Sequence, residues 1–402
     1  MKHSRNISGL NKDVCLIIGM VDSPHLQSWI TGTVEAKVFK KIIIFPSDFP
    51  KTKKYSRSRD AKDETRVSIF RLIPSKLLNF YFMHFLEIVF GHAWRSFFIR
   101  LILEIKKPQV LHYHEMQHGG YLLNRLSEKV ISLKKQNLVI IGSTWGSDLT
   151  FFGYVETHSE QIQNLLNLTS ILTAERTDEI DTVRKFAYEG KFVAPVYISV
   201  GNKIESESRM TSADLRKTIL VRGYQHDQGR ALNALKSLEE IDEIKGFEVK
   251  IFSAMKSPTV ILQAMRMKKS LGIDIQILPK MSHDNFLEEF KESRVYIGLS
   301  EADGLSTSMV EAMACGCFPI QSANSAASTF IVDGVNGFIV DPWDIPGIRE
   351  CIRTSLRSDN LVREASALNV EIISRKYNWN TGVQKIKNLY TECILNPEDK
   401  TG

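Results

Sequence analysis

Residues 295–340 (VYIGLSEADGLSTSMVEAMACGCFPIQSANSAASTFIVDGVNGFIV) carry the side chains best placed for chemistry. An apolar strand ends near Ser300, a short loop follows with Asp303 and Gly304, and a helix is expected to start near Ser308. The unpaired amides at the start of a helix and the positive end of its macrodipole together bind anions. The pattern therefore predicts a diphosphate pocket at this loop.

Two carboxylates flank the predicted pocket, because Asp303 and Glu311 stand eight positions apart. Carboxylates accept hydrogen bonds from hydroxyl groups, so a phosphate pocket with these two neighbours suits a nucleotide sugar. Both residues also have a purely structural interpretation. Ser308 and Glu311 spell the S-x-x-E capping box, and Asp303 precedes Gly304 as a turn residue does. The residue pattern leaves both interpretations open.

The same segment resembles the signature of the retaining glycosyltransferases of family 4: an acidic residue, seven others, and the run E-A-M-A-x-G-x-P. Here Asp303 precedes the run EAMACGCFP, which begins at Glu311 and has one extra residue before the proline. Family members usually have glutamate where Asp303 stands, and Glu301 is a competitor for that role. The resemblance implies that Asp303 is catalytic and contacts the transferred sugar, and that Glu311 binds the ribose. It implies that four loop residues hold the diphosphate: Gly304, Leu305, Ser306 and Thr307.

Other stretches extend the resemblance along the second half. LVRGYQHDQGRALNALKSL (220–238) is similar to the phosphate-binding stretch of the family, with Arg222 as its arginine and Gln228-Gly229 in place of Lys-Gly. Arg230 is the nearest substitute for the missing lysine, since its guanidinium also makes charge-assisted contacts. In ILPKMSHDNFLEEFKESRVYIGLS (277–300), the backbone near Lys280 and Met281 is expected to meet the nucleotide base.

The first half contributes further candidates. QVLHYHEMQHGG (109–120) is similar to the family's strand ending in H-x-H-E, which implies that His114 is a second catalytic residue beside the sugar. A histidine at a strand end is otherwise more often a packed structural residue. STWGSDLTF (143–151) and SILTAERTDEIDTVRKF (170–186) follow the family pattern in order. The resemblance assigns His25 and Asp148 to the acceptor side.

The elements that position these residues are short apolar strands, each followed by a helical pattern. The strand runs lie at 14–21, 41–45, 109–114, 137–143 and 170–174, then at 218–223, 247–254, 274–279, 295–300, 317–322 and 337–341. They predict an α/β protein with two doubly wound parallel sheets and a ligand cleft between them at the strands' carboxyl ends. A chain of 402 residues is also longer than a domain with a single hydrophobic core usually is, which favours two domains.

The resemblance implies the GT-B architecture for these two Rossmann-like sheets. We expect an acceptor-side domain at 1–198, a donor-binding domain at 199–378 and, at 379–402, a helix that crosses back to the first domain. The predicted function is retaining transfer of a sugar from a nucleotide diphosphate to a glycan or lipid-linked acceptor, in bacterial surface polysaccharide or lipopolysaccharide synthesis. The alternatives are a nucleotide-sugar 2-epimerase of the same fold and an inactive nucleotide-sugar or glycan-binding protein.

The composition of the chain predicts its cellular compartment and the charge of its partners. The five cysteines form no disulfide or metal-ligand spacing, and no secretory signal is apparent, so we expect a cytoplasmic protein. A net charge of +6 favours anionic partners, and the resemblance implies a nucleotide sugar rather than nucleic acid. No cofactor or essential metal is expected. The acidic run at Glu301 and Asp303 resembles the metal motif of other glycosyltransferases, but a helix-dipole site already supplies positive potential.

Two segments depart from the alternation. Residues 51–66 are dense in charge and predict an exposed loop. Residues 71–107 mix aromatic and aliphatic side chains with six basic residues: Arg71, Lys76, Arg95, Arg100, Lys106 and Lys107. This composition is typical of interfacial membrane helices, although the pattern by itself favours two ordinary helices packed on a core. The membrane interpretation predicts peripheral attachment to an anionic surface at the inner face of the cytoplasmic membrane.

Overall fold

The computed structural model describes residues 11–49, 65–201, 203, 211–226 and 229–395. The contacts between residues divide the chain into two compact units. Unit 1 contains Met1–Gly201 and Trp379–Gly402, and unit 2 contains Asn202–Asn378. Most of the loop expected at 51–66 lies outside the described residues, and its last residue, Arg66, instead begins a strand.

The sheet of unit 1 has seven parallel strands in the order β3-β2-β1-β4-β5-β6-β7. They are β1 (Asn11–Gly19), β2 (Lys41–Pro46), β3 (Arg66–Ile69), β4 (Pro108–His114), β5 (Val139–Ser143), β6 (Ile171–Thr173) and β7 (Lys191–Val193). The five strands predicted in this half are all present. The sequence did not indicate β3 and β7, because these short edge strands are only partly buried and carry no long apolar run.

The sheet of unit 2 has six parallel strands in the order β10-β9-β8-β11-β12-β13. They are β8 (Thr218–Arg222), β9 (Glu248–Phe252), β10 (Ile275–Ile277), β11 (Ser293–Gly298), β12 (Phe318–Ser322) and β13 (Phe338–Val340). Each coincides with a predicted strand run. The prediction of two doubly wound parallel sheets is therefore confirmed.

Helices connect the strands, as parallel pairing requires. They are α1 (Pro24–Glu35), α2 (Lys76–Phe90), α3 (Ala93–Lys106), α4 (Tyr121–Asn124), α5 (Ser127–Lys134), α6 (Ser147–Thr150), α7 (Glu156–Leu168), α8 (Glu179–Lys185), α9 (Ala231–Glu239), α10 (Pro258–Leu271), α11 (His283–Glu292), α12 (Thr307–Ala314), α13 (Ile345–Arg357), α14 (Asp359–Lys376) and α15 (Trp379–Leu395). Among the helices of the described ranges, none has both the length and the apolar character needed to span a bilayer.

Each sheet has one point at which the strand order reverses. In unit 1 this point lies between β1 and β4, and in unit 2 it lies between β8 and β11. The loops that leave two such neighbouring strands run to opposite faces of the sheet, which opens a crevice at their carboxyl ends. The residues that follow β4, β8 and β11 are therefore the ones that the fold presents to a ligand.

The C-terminal helix α15 belongs to the core of unit 1, where Ile386, Leu389 and Tyr390 are buried with residues of α1 and β4. The Tyr390 hydroxyl accepts a hydrogen bond from Trp29 Nε1 at 2.9 Å and lies 2.7 Å from His112 Nδ1. His112 Nε2 lies 2.8 Å from Ser143 Oγ. Helix α15 is thus tied to α1, β4 and β5 by a buried polar network as well as by apolar packing.

We expect Tyr390→Phe to lower the free energy of unfolding, because it leaves the Trp29 indole and one His112 nitrogen without this buried partner. Such an unsatisfied group costs about 1–3 kcal/mol. Urea denaturation measures the change. Tyr81→Phe is the matched control, since Tyr81 is 62% exposed. Equal stability of the two variants would show that the network does not anchor α15.

Candidate functional site

Arg222 and Asp303 form the centre of the site in unit 2. Arg222 ends β8 and Asp303 follows the adjacent strand β11, so sheet pairing brings together residues 81 positions apart. Arg222 Nη1 donates to Asp303 Oδ2 at 2.5 Å and approaches Ser306 Oγ at 3.5 Å. Burial opposes the charge on Arg222, but the Asp303 carboxylate outweighs it and raises the pKa of the guanidinium. Arg222 is therefore a permanent cation held in one orientation.

A second arginine–carboxylate pair lies beside the same loop. Arg230 Nη2 is 2.5 Å from Glu301 Oε1, and its guanidinium carbon lies 4.6 Å from the centre of the Trp343 ring. Because Glu301 pairs with Arg230 while Asp303 pairs with Arg222, the two acids have different partners. Glu301 therefore does not occupy the position of Asp303.

The segment between β8 and α9 includes the place of the missing lysine. Gln228 lies outside the described residues. Gly229 forms an antiparallel bridge with Ser300, and a Cβ atom at this position would lie 2.5 Å from the Tyr224 carbonyl oxygen. Only glycine fits this close approach of two backbones. Arg230 follows directly, so the glycine fixes the place from which its side chain starts.

The loop amides precede α12, which begins at Thr307 with Ser306 as its N-cap residue, one position before the predicted start. The Asp303 amide donates to the Asn324 carbonyl at 3.0 Å, and the Gly304 carbonyl accepts from the Ala326 amide at 3.0 Å. These bonds hold the stretch from Gly304 through Leu305 to Thr307 against the segment that follows β12. Because Arg222 Nη1 lies 3.5 Å from Oγ of the N-cap residue Ser306, the positive end of α12 is next to Arg222.

Glu311 lies on α12 and contacts a neighbouring helix. Its Oε1 atom is 2.7 Å from Nε2 of His283, the first residue of α11. The hydrogen bond to Glu311 raises the pKa of His283 above its usual value. The capping box is not formed, because the N-cap is Ser306 and the Ser308 hydroxyl lies 2.8 Å from the Tyr296 hydroxyl.

The sequence alone did not reveal His283 as a partner of Glu311. The two residues are 28 positions apart, and no local spacing connects them. Lys280 and Met281 lie just before α11, in the loop that leaves β10, with Lys280 exposed and Met281 partly buried. These neighbours of His283 thus stand at the carboxyl end of a sheet strand, as a base-binding segment would.

His114 ends β4 in unit 1 and is fully buried. Its ring stacks on His112, with 4.3 Å between ring centres, and meets the edge of Trp29. Within the described part of the chain, neither of its ring nitrogens has a hydrogen-bond partner. Burial lowers the pKa of His114 to about 3, so the imidazole is neutral at physiological pH. A buried polar ring without partners is uncommon and indicates a ligand or a water molecule.

Two further candidates surround the end of β5. Asp148 is 1% exposed, and its Oδ2 atom accepts hydrogen bonds from the Met116 and Trp145 amides, both at 2.9 Å. Burial, reinforced by the Glu115 charge, raises the pKa of Asp148. Asp148 therefore ties together the loops after β4 and β5. His25 is partly buried, 5.8 Å from the Trp145 ring centre. Their assignment to an acceptor site stays a prediction.

Comparison with known proteins finds a family model that matches part of unit 2, and relatives of low sequence identity. Residues 257–368 match the family model described as "Glycosyl transferases group 1". An uncharacterized glycosyltransferase of Methanocaldococcus jannaschii is 25% identical over 134 residues, which are 32% of this chain and 34% of that protein. The N-acetyl-alpha-D-glucosaminyl L-malate synthase of Bacillus anthracis is 20% identical over 274 residues, 66% of this chain and 71% of that enzyme.

Solved structures share the whole fold. A sucrose-phosphate synthase from Thermosynechococcus elongatus superposes with a TM-score of 0.71 at 13% identity, covering 94% of this chain and 98% of that one. Anabaena HepE in complex with UDP-glucose gives 0.68 at 11% identity, covering 94% and 99%. The fold is therefore GT-B, and the segment that matches the group 1 model, residues 257–368, includes Asp303 and Glu311.

The Glu311–His283 contact yields a prediction about protonation. Glu311→Gln removes the negative charge, so the pKa of His283 should fall toward about 6.5. NMR titration of the imidazole measures it. Because the folded-state pKa is raised, the contact stabilises the fold below the unfolded-state pKa, and this stabilisation disappears as pH rises through the folded-state value. Glu288→Gln, which removes the partner of Lys291 on α11, should leave His283 unchanged. An unaltered His283 in Glu311→Gln would rule out the contact.

Proposed function

We propose that this protein transfers a sugar from a nucleoside diphosphate donor to a glycan or lipid-linked acceptor, with retention at the anomeric carbon. One observation carries the proposal. At the strand-order reversal of unit 2, the permanent cation Arg222 is held by Asp303 next to the N-terminus of α12. Positive potential for a diphosphate and a carboxylate for sugar hydroxyls thus adjoin each other.

The donor occupies this site in an orientation that follows from the chemistry of each group. The diphosphate lies at the amides before α12, with Arg222 on one side and Arg230 as the further cation. Asp303 accepts hydrogen bonds from the transferred sugar, and Glu311 accepts them from the ribose. The base lies against the backbone at Lys280 and Met281. That Anabaena HepE was solved with UDP-glucose supports a nucleotide sugar as the ligand class.

Arg222 has five N–H donors in the fixed fork of its guanidinium. Arg222 gives one nitrogen to Asp303, with Ser306 at the limit of hydrogen-bond distance. The remaining donors are available for phosphate oxygens. The carboxylate fixes the direction of the fork before the donor arrives, so the site is preorganised for the anion.

Catalysis in this proposal is electrostatic. As the bond from the sugar to the diphosphate breaks, negative charge grows on the leaving phosphate, where Arg222 and the positive end of α12 stabilise it. The acceptor hydroxyl attacks on the face from which the diphosphate departs, which gives retention. In unit 1, His114 is kept neutral by burial, so its ring offers hydrogen bonds to a sugar hydroxyl and does not exchange protons at neutral pH.

The biological setting follows from the same proposal. The acceptor belongs to bacterial surface polysaccharide or lipopolysaccharide synthesis, and the enzyme works in the cytoplasm on a glycan or a lipid-linked glycan. The proposal is tested first by measuring saturable binding of UDP-, GDP- and ADP-glucose, then by screening acceptors with the donor that binds. Donor isomerisation without transfer would instead identify an epimerase, and binding without turnover would identify an inactive binding protein.

We expect Arg222→Ala to weaken donor binding roughly tenfold to a hundredfold, because a hydrogen bond to a charged group contributes about 1.5–3 kcal/mol. Glu311→Ala should also weaken binding while leaving the melting temperature close to that of wild type. Calorimetric titration with the selected donor measures both. Arg353→Ala is the matched control, since Arg353 belongs to another carboxylate pair of unit 2, at 2.6 Å from Glu350. Unchanged donor affinity in Arg222→Ala would refute this placement of the diphosphate.

Activity should persist in excess EDTA, because arginine charge and the α12 macrodipole supply the positive potential that a cation provides in metal-dependent enzymes. The measurement is the initial rate with and without chelator, with dialysed enzyme as control. Complete loss of activity, restored by manganese or magnesium, would instead support a metal site at Glu301 and Asp303.

A further inference from the structure

Helices α2 and α3 carry a large apolar surface on the outside of unit 1. Among the described residues, 11 of the 21 exposed large apolar side chains lie on these two helices. They are Leu77, Leu78, Tyr81, Phe82, Phe85, Ile88, Val89, Phe90, Phe97, Leu101 and Ile105. We call this set of exposed apolar side chains the α2–α3 face.

Helix α2 is apolar on its outward side as well as on the side that packs on the core, where Met83 is buried. Successive residues of a helix are rotated by about 100° around its axis. The outward arc of α2 therefore spans about 140°, from Leu77 through Ile88 to Phe82, and contains only apolar and aromatic side chains. The polar residue Asn79 is buried on the opposite side, where its side-chain oxygen accepts hydrogen bonds from the Leu72 and Ile73 amides. Water contact with such a face is unfavourable, so the face requires an apolar partner.

The charges around the patch have the sign that suits an anionic surface. Residues 71–107 contain six basic and two acidic residues. One of the six, Arg95, does not face solvent, because it is 2% exposed and paired with Glu87 at 3.0 Å. Arg71, Arg100, Lys106 and Lys107 are exposed. The side chain of Lys76 lies outside the described part.

The acidic residues do not cancel this charge. Glu87 pairs with the buried Arg95, and Glu104 is shared between Arg100 and Lys129, at 3.1 and 3.3 Å. The segment that carries the α2–α3 face therefore has a net positive charge. Opposite charge and an apolar centre are the two features by which an interfacial helix binds anionic lipid.

A lipid surface fits this face better than a protein does. A protein interface makes about one hydrogen bond per 100–200 Å², whereas the outward arc of α2 offers only the Tyr81 hydroxyl for this purpose. Lipid chains need no hydrogen bonds. The helix has 15 residues, about 22 Å in length, and is too short to cross the roughly 30 Å hydrocarbon core. It can lie in the interface instead.

We propose that the α2–α3 face seats unit 1 on an anionic lipid surface. The outward arc of α2 and the stripe formed by Phe97, Leu101 and Ile105 on α3 enter the boundary between head groups and acyl chains. Arg71, Lys106 and Lys107 contact the lipid head groups. This inference rests on α2 and α3 alone and is independent of the sugar-transfer proposal.

The test is co-sedimentation of the full chain with phosphatidylcholine vesicles and with equimolar phosphatidylcholine–phosphatidylglycerol vesicles, at low salt and at about 1 M salt, where the Debye length is about 3 Å. We expect binding to the mixed vesicles that weakens at high salt. Leu77→Ser/Ile88→Ser should reduce the partition coefficient on the order of tenfold, since 63% and 83% of these residues are exposed to a partner. Lys106→Gln/Lys107→Gln should weaken binding at low salt only.

The control removes two exposed apolar side chains from another surface. Leu262→Ser/Met265→Ser alters exposed side chains on α10 in unit 2 and should bind vesicles as wild type does. Donor titration on every variant keeps the two proposals separate, because a loss of vesicle binding must leave nucleotide-sugar affinity unchanged. Absence of binding to mixed vesicles overturns the inference. So does a dimer in lipid-free solution that Leu77→Ser/Ile88→Ser converts to monomer, since a second copy would then cover the face.

Discussion

The contact between Arg222 and Asp303 is the interaction on which the proposed donor site depends. It exists because β8 and β11 are neighbours in the sheet, although 70 residues lie between the end of β8 and the start of β11. The carboxyl end of β8 therefore faces the loop that follows β11. Buried charge is unfavourable unless it is paired, and a pair in this position fixes both groups. The remaining features, the second pair at Arg230 and the start of α12, are arranged around it.

Both units use the same physical device with different chemistry. In unit 2, the strand-order reversal presents charged groups that hold one another in place. In unit 1, the corresponding strand ends at His114, which burial keeps neutral and whose ring nitrogens have no partner among the described residues. A charged site suits the phosphates of a donor, whereas a neutral hydrogen-bonding group suits a sugar hydroxyl. The two strand ends therefore present different chemistry, paired charges in unit 2 and a neutral imidazole in unit 1.

Buried polar groups also determine how the chain end is held. The hydroxyl of Tyr390 serves Trp29 and His112 together, so α15 docks in one register, whereas apolar packing alone would tolerate small shifts. The α2–α3 face is the opposite case. There Asn79 and Met83 are buried on the inward side of α2, while the side chains on the outward side are apolar and exposed. Unit 1 therefore has both a buried core and an exposed apolar surface, the α2–α3 face.

The local pattern of the sequence determined the two doubly wound sheets, because buried parallel strands need long apolar runs that are visible without a structure. It also determined the strand–loop–helix at Asp303, where glycine, small residues and a carboxylate stand at fixed spacing. The edge strands β3 and β7 escaped detection, since partial burial leaves no such run. The start of α12 was off by one residue because helix boundaries depend on hydrogen bonds that composition does not specify.

Only the tertiary structure decided which side chains contact one another. The sequence could not show that Asp303 and Glu301 hold different arginines, that Glu311 meets His283, or that Arg95 is buried with Glu87. It left the α2 segment open between a core helix and an interfacial one, because periodicity states which side is apolar and not which side faces the core. Most of these contacts join residues far apart in the chain, and they arise from strand order and packing, which no short window of sequence contains.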